Sequence, residues 1–290
     1  MKLLLKFNLV LFLVFGAGFL ATGYFCNSLL QKNAKTEIVE NARIMMESAL
    51  AVRNYTATEI KPLLETQVKY NFLPQMVSSY SANAYFKTLQ KKFPEYAYKE
   101  ATLNPTNPSD RAGDWEADIV NEFRRSTDRS EIVTERDTPT GRFMSMARPL
   151  KVSLAACLNC HDTPETAYPT LLAKYGNANG FGWKLNDIVG AQIVSVPTRL
   201  PLQRAHGVFV AFMTSLAAIF VVLVLAINAL LIFLVIRPVN RLSKVASELS
   251  LGNMDAGDFQ ISGKDEIAEL SHAFIRMKKS LVEAMKMLAS

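Results

Sequence analysis

Cys157-Leu158-Asn159-Cys160-His161 is the stretch on which the reading of this chain turns. Two thiols separated by two residues reach the two vinyl groups of one porphyrin, and the adjacent imidazole falls under the ring to ligate its iron. Cys-x-x-Cys-His is therefore the attachment spacing of haem c. A zinc half-site and a thioredoxin-like redox pair are the alternatives. Zinc needs a second Cys or His pair, and the chain has three Cys and three His in all. A redox pair has no need of the following His. The expectation is one covalent haem c per chain, on Cys157 and Cys160, with His161 as iron ligand. Cys26 is then left alone, so no intrachain disulfide is expected.

Outward from this stretch lie two apolar runs. Phe7 to Phe25 is long enough to cross a bilayer as a helix, and Val208 to Ile236 is longer. Lys2 and Lys6 flank the first run; Arg237, Arg241 and Lys244 follow the second. Basic flanks mark the cytoplasmic side. This gives a two-pass protein of the bacterial inner membrane with both ends cytoplasmic and the intervening block periplasmic, the compartment where covalent haem is attached. Residues 1–26 and 206–236 are the expected spans. A cleaved signal peptide is the alternative for the first, but its length and the absence of a small-residue break favour an uncleaved anchor. Tyr24 and Phe25 before Cys26 put bulky rings where a lipidation signal has small residues. The net charge is +6, from 32 Lys+Arg against 26 Asp+Glu. With the signs interspersed outside the membrane edges, this is a solvated surface, not a nucleic-acid footprint.

Residues 27–205 are enough for one domain with a core. Ile38, Ala42, Met45, Ala49 and Val52 recur at helical spacing, so the first membrane helix is expected to run on into this block. A second helix is expected over Ser78 to Lys92. Ser109 or Asp110 would cap a short helix carrying Trp115, Ile119 and Phe123. Glu131 to Glu135, Arg142 to Val152 and Val189 to Val196 read as strands, the first two joined through Thr138-Pro139-Thr140-Gly141. Helices first and antiparallel strands later make an α+β domain.

Tyr98-Lys99-Glu100-Ala101, Asn104-Pro105-Thr106-Asn107, Ala147-Arg148-Pro149, the Cys-x-x-Cys-His stretch, Tyr175-Gly176 and Gly180-Phe181-Gly182-Trp183-Lys184 follow one another in an order that resembles the bacterial c-type haem sensory domain family. The resemblance implies a PAS-like domain holding one covalent haem, in membrane receptors that dimerise. It also implies a sixth iron position filled from the N-terminal helix in some members and by water in others. Met45 and Met46 stand on that helix here. Met46 shares a face with Arg53, seven residues on, so Met46 would meet the iron while Arg53 meets a haem propionate. Arg148 is a second propionate partner, since its fork matches a carboxylate. Met46 as flexible core filler and Arg148 as a surface ion pair are the plain alternatives. Trp183 and Phe181 would pack on the porphyrin or in the core.

Residues 237–290 begin Arg237-Pro238-Val239 and place Leu242, Val245 and Leu249 at helical spacing. A polar connector, Ser250 to Lys264, precedes a heptad seam of Ile267, Leu270, Phe274, Met277, Leu281, Ala284 and Leu288. Helix, connector and helix after a membrane span resemble a HAMP relay domain, a parallel four-helix bundle of two chains, so a homodimer is implied. No ATP-binding Gly-rich motif or phospho-acceptor box follows, which points to a separate cytoplasmic signalling partner or a lost downstream domain. The expected function is a membrane-anchored haem-c sensor relaying redox state or binding of a gas such as NO or CO. The alternative is a membrane-tethered c-type cytochrome passing electrons to a redox partner. An enzyme is not expected, since no distal acid–base pair is visible.

Overall fold

The computed structural model describes residues 3–253, 257, 263 and 265–289, and divides into two compact units, residues 27–209 and residues 1–26 with 210–290. The first helix, α1, runs Leu3–Tyr55 without a break, as the uninterrupted helical pattern predicts. It passes into a π-helical stretch, Thr56–Ile60, and a short helix α2, Lys61–Leu64. Then follow α3 (Ser78–Gln90), β1 (Ala97–Thr102), α4 (Asp114–Arg125), β2 (Ile132–Thr138), β3 (Gly141–Lys151), α5 (Leu158–His161), α6 (Pro169–Tyr175) and β4 (Ile188–Pro197). Mixed helices and antiparallel strands agree with the α+β expectation.

The sheet of the 27–209 unit has four strands in the order β1-β4-β3-β2, every pair antiparallel. β2 and β3 form the expected hairpin, turning at Pro139-Thr140. Thr138 closes the turn, its Oγ donating to the Gly141 carbonyl at 2.8 Å. β1 was not expected as a strand: Ala97-Tyr98-Lys99-Glu100-Ala101-Thr102 carries two charges and little β-branched surface. Pairing along its whole length with β4 overrides that local preference. The cap of α4 also differs from expectation. Asn107 caps the turn Pro108–Asp110 through the Ser109 amide, and the helix begins four residues later at Asp114. There the Gly113 amide donates to Glu116 Oε2 at 2.7 Å.

Period-two alternation splits the sheet's faces. Tyr98, Met144, Met146, Val194 and Val196 pack with Ile38, Ala42, Met46 and Ala49 of α1 and with Ala82 and Phe86 of α3. Ala101, Ala147, Ala191 and Ile193 meet Ile119, Val120 and Phe123 of α4. A third cluster joins Val68, Phe72 and Met76 to Ala167 and Leu171, with Tyr168 and Phe181 against it. On α1 the fully buried methionine is Met46, at 0% exposure, while Met45 is partly buried.

α7 (Arg199–Leu230), which belongs to the other unit from Val210 on, is followed by π-helix Leu231–Ile236 and by α8 (Arg237–Ser250); α9 spans Glu266–Ala289. α1 and α7 are each long and apolar enough to cross a membrane. Phe12 and Phe15 pack on Phe220 at centroid distances of 5.7 and 4.8 Å. Asn8 and Asn228 exchange two amide hydrogen bonds, 2.7 and 2.8 Å. Most of the connector expected over residues 250–264 lies outside the described residues, as does the side chain of Leu288. Ala268 is buried and Leu242 and Leu249 nearly so, whereas Leu270, Met277 and Leu281 stand exposed in the single chain, as seam residues awaiting a partner helix do.

Packing of Met46 of α1 against α3 and the sheet predicts that Met46→Ala lowers the stability of the 27–209 unit by about 2–5 kcal/mol, from lost transfer energy plus the residual cavity. Urea unfolding followed by tryptophan fluorescence measures it. A loss below about 0.5 kcal/mol would contradict this packing.

Candidate functional site

The stretch Leu154 to Asp162 leaves the end of β3 and coils into a 3-10 turn, Ala155–Cys157, then the single helical turn α5. Helical spacing puts Cys157 and Cys160 on neighbouring turns of one face. Both thiols are free and half-buried. Burial pushes the Cys160 thiol up from its ordinary value, against the pull of the Lys61 charge.

His161 is held from three sides. Its Nδ1 lies 2.7 Å from the Gly180 carbonyl. A carbonyl only accepts, so Nδ1 carries the proton and Nε2 keeps its lone pair free. Thr106 Oγ is 3.5 Å from the same nitrogen. Trp183 stacks on the imidazole with centroids 3.8 Å apart and planes 9° from parallel, which covers a ring face and leaves the in-plane Nε2 lone pair open. Burial lowers the His161 pKa and the Gly180 bond opposes it, so the neutral ring is favoured.

The 180–183 segment reaches this position by its backbone. The Gly182 amide donates to the Asp162 carbonyl at 2.7 Å and the Trp183 amide to the His161 carbonyl at 3.1 Å. Gly180 adopts φ +87°, and a Cβ there would lie 1.9 Å from Thr106 Oγ. Only glycine fits both the conformation and the space. The stretches around Thr106, His161 and Gly180, quoted above only as motifs, thus meet at one point. Phe181 packs into the third cluster, not against the imidazole.

Arg53, near the end of α1, is close enough to Cys157 to interact with it electrostatically. Its guanidinium is taken, however, by a direct ion pair with Glu100 of β1. Glu100 is 2% exposed at its side chain, and its other oxygen accepts the Tyr98 hydroxyl at 2.8 Å. The Gln192 amide donates to that hydroxyl at 3.3 Å. Burial, then the Glu100 charge, push the phenol strongly upward, so Tyr98 stays a donor. For Arg53, burial lowers and Glu100 raises, and the net direction is up.

Arg148 stands in the same cross-strand row, Glu100–Gln192–Arg148. Its fork is shared by Glu47 of α1 at 2.7 Å and Glu131 at 3.1 Å. It is a clasp between α1 and β3, and a propionate would share its fork with two carboxylates. Met46 sits in the first core cluster, while the contacts of His161 are with Gly180, Thr106 and Trp183. Met76 is the methionine in the cluster that also holds Tyr168 and Phe181. Among the described residues no three His, Cys, Asp or Glu side chains gather to hold a bare metal ion.

Two free thiols on one helical face, an imidazole with its Nε2 lone pair open, and a fixed tautomer fit the donor set that covalent haem requires. What the arrangement holds ready is one nitrogen ligand in a defined orientation.

Comparison with known proteins gives two domain matches. A family model described as Tll0287-like matches residues 31–197, more than half of the 290-residue chain. The HAMP domain model matches residues 230–283. No curated protein matches. A solved structure, the crystal structure of the cyanobacterial haem protein Tll0287, aligns over 56% of this chain and 95% of its own at 16% identity, with a TM-score of 0.44.

The buried pair predicts a sharp loss on cutting it. Glu100→Gln leaves the Arg53 charge without its counter-ion and should cost about 3–5 kcal/mol, read by urea unfolding. Gly180→Ala should cost over about 1 kcal/mol, and Thr106→Ala in the same chain should restore only part, because the Thr106 backbone also lies within 2.9 Å of the new Cβ. Full stability in either single variant would contradict the geometry.

Proposed function

Because this chain belongs to the Tll0287-like family and carries a HAMP domain after that region, we propose that it is a membrane-anchored haem-c sensor. The observation that carries the proposal is His161, whose Nδ1 is tied to the Gly180 carbonyl so that Nε2 keeps its lone pair, one residue from the Cys157–Cys160 pair of free thiols. Cys157 and Cys160 would form the thioethers and His161 would be the proximal ligand. Bound haem would supply an iron able to change charge by one-electron transfer or to take a diatomic gas.

The chain's own residues then do the rest. Gly180 and Thr106 hold the imidazole tautomer, Trp183 fixes its plane, and the Arg53–Glu100 pair holds the end of α1 against the sheet beside Cys157. The four-stranded sheet with helices on both faces suits the PAS-like sensor domain that the sequence resembles. The basic flanks of both apolar helices support a two-pass topology, with residues 27–205 periplasmic and both described ends cytoplasmic. A HAMP unit works as a bundle of two chains, so the sensor is a homodimer acting on a cytoplasmic partner.

Two measurements test this reading. Cys157→Ala with Cys160→Ala should remove all haem stain from the band on a denaturing gel, since both thioethers are lost. A stained band in the double variant would refute covalent attachment there. Reporter fusions after Lys151 and after Ser290 should report periplasmic and cytoplasmic sides respectively, and the same side for both would refute the two-span topology.

A further inference from the structure

A cavity of about 430 Å³ opens beside β1. Its walls come from α3, from the turn that precedes α4, from the first turn of α4, from β1 at the edge of the sheet and from its neighbour β4. The volume falls in the range of small-molecule pockets. None of Cys157, Cys160 or His161 lines it.

Its charges do not cancel locally. Lys99 and Glu116 pair directly, Nζ to Oε2 at 2.6 Å, and neutralise each other. Asp110 has no cation within ion-pair reach among the described residues. Its Oδ1 has two long contacts with neutral groups, Asn83 Nδ2 at 3.3 Å and Ser109 Oγ at 3.4 Å. Lys87 of α3, which is exposed, makes no ion pair among the described residues. Asp110 and Lys87 feel each other's charge but stand too far apart to touch. A carboxylate can accept about four hydrogen bonds, and partly buried charges are ordinarily paired. Tyr80 and Trp115 also line the cavity, with the Arg136 guanidinium carbon 3.6 Å from the Trp115 ring centroid on one face.

We propose that this cavity is a second ligand site, separate from the haem segment, that binds a small zwitterion of the α-amino-acid class. Its ammonium meets Asp110, its carboxylate meets Lys87, and its side chain lies against Tyr80 and Trp115. An ammonium satisfies the half-buried Asp110, and a carboxylate on the same ligand can pair with the exposed Lys87; a lone acid would leave Asp110 unpaired in the pocket, which costs affinity, and a lone amine would forgo the second contact. The state of Asp110 agrees. Burial first, and the Glu100 charge second, push its carboxyl up to about 6, while Ser109, Lys87 and Lys99 pull the other way. The folded chain therefore holds that proton more tightly than an unfolded one does. Ionised Asp110 costs stability as pH rises through about 6, a cost that a bound ammonium removes.

The test uses the full chain in detergent with its haem content recorded. Each of the standard L-amino acids is added singly, and binding is read by thermal shift and then by calorimetry. At least one should raise the melting temperature and bind. That amino acid should lose about tenfold or more in affinity in Asp110→Asn and, separately, in Lys87→Met. Its N-acetyl and C-amide derivatives should bind wild type about tenfold or more weakly. The haem stain should be unchanged in both variants, so failure here leaves the haem reading standing. Three results would overturn the proposal: no amino acid binds, the binder keeps its affinity in Asp110→Asn, or an N-acetyl or C-amide derivative binds as well as the parent.

Discussion

The ion pair of Arg53 with Glu100 is the interaction on which the 27–209 unit depends. Glu100 is almost wholly enclosed, and a carboxylate there is tolerable only with a cation and further donors. Arg53 supplies the first and Tyr98 the second, with Gln192 behind Tyr98. The requirement fixes α1 against β1 to within a hydrogen-bond length. Arg148 with Glu47 repeats the clasp between α1 and β3. Between these polar links, Ile38, Ala42, Met46 and Ala49 fill the same interface with apolar contact. α1 is thus held by packing along its length and by charge where it nears Cys157.

That arrangement gives the Cys-x-x-Cys-His turn a firm surround. α5 is one turn long and has little stability of its own. Its ring is held instead by a glycine carbonyl, a threonine and a stacked indole drawn from segments about 20 to 55 residues away in sequence. π-Helical stretches, which recur at functional sites, stand at Thr56–Ile60 and at Leu231–Ile236, just before α8. On the proposed reading, both are places where a helix can change register without breaking. In the 1–26 and 210–290 unit, the reciprocal Asn8–Asn228 bonds tie α1 to α7 in an apolar setting where few other groups compete for them.

Much of this was legible from local pattern. The uninterrupted α1, the helix from Ser78, the β2–β3 hairpin and β4 all follow from apolar period and turn residues, and they stand where those signals put them. The HAMP resemblance of the C-terminal stretch is matched by the domain model over residues 230–283. What local pattern could not give was partnership over distance. β1 is a strand because β4 pairs with it, not because of its own residues. Arg148 faces Glu47, 101 residues away, and Arg53 faces Glu100, so neither guanidinium is the idle fork that its position alone suggests. Met46 shares a face with Arg53 as the helical period requires, but what that face meets at Met46 is Met144, Met146 and Phe86. The role of Gly180 had a faint signal, a run of glycines around an indole, whose meaning needed the fold.

The central claim is that haem chemistry at His161 biases the HAMP bundle. The direct measurement is the distance between spin labels at Leu270 of the two chains, in full-length dimers with Cys26 replaced, taken in the ferric state, the ferrous state and the NO-bound ferrous state. A two-state relay predicts a distribution whose populations shift between these states. One distribution, identical in all three, would contradict the sensor account and leave a dimeric electron carrier in its place.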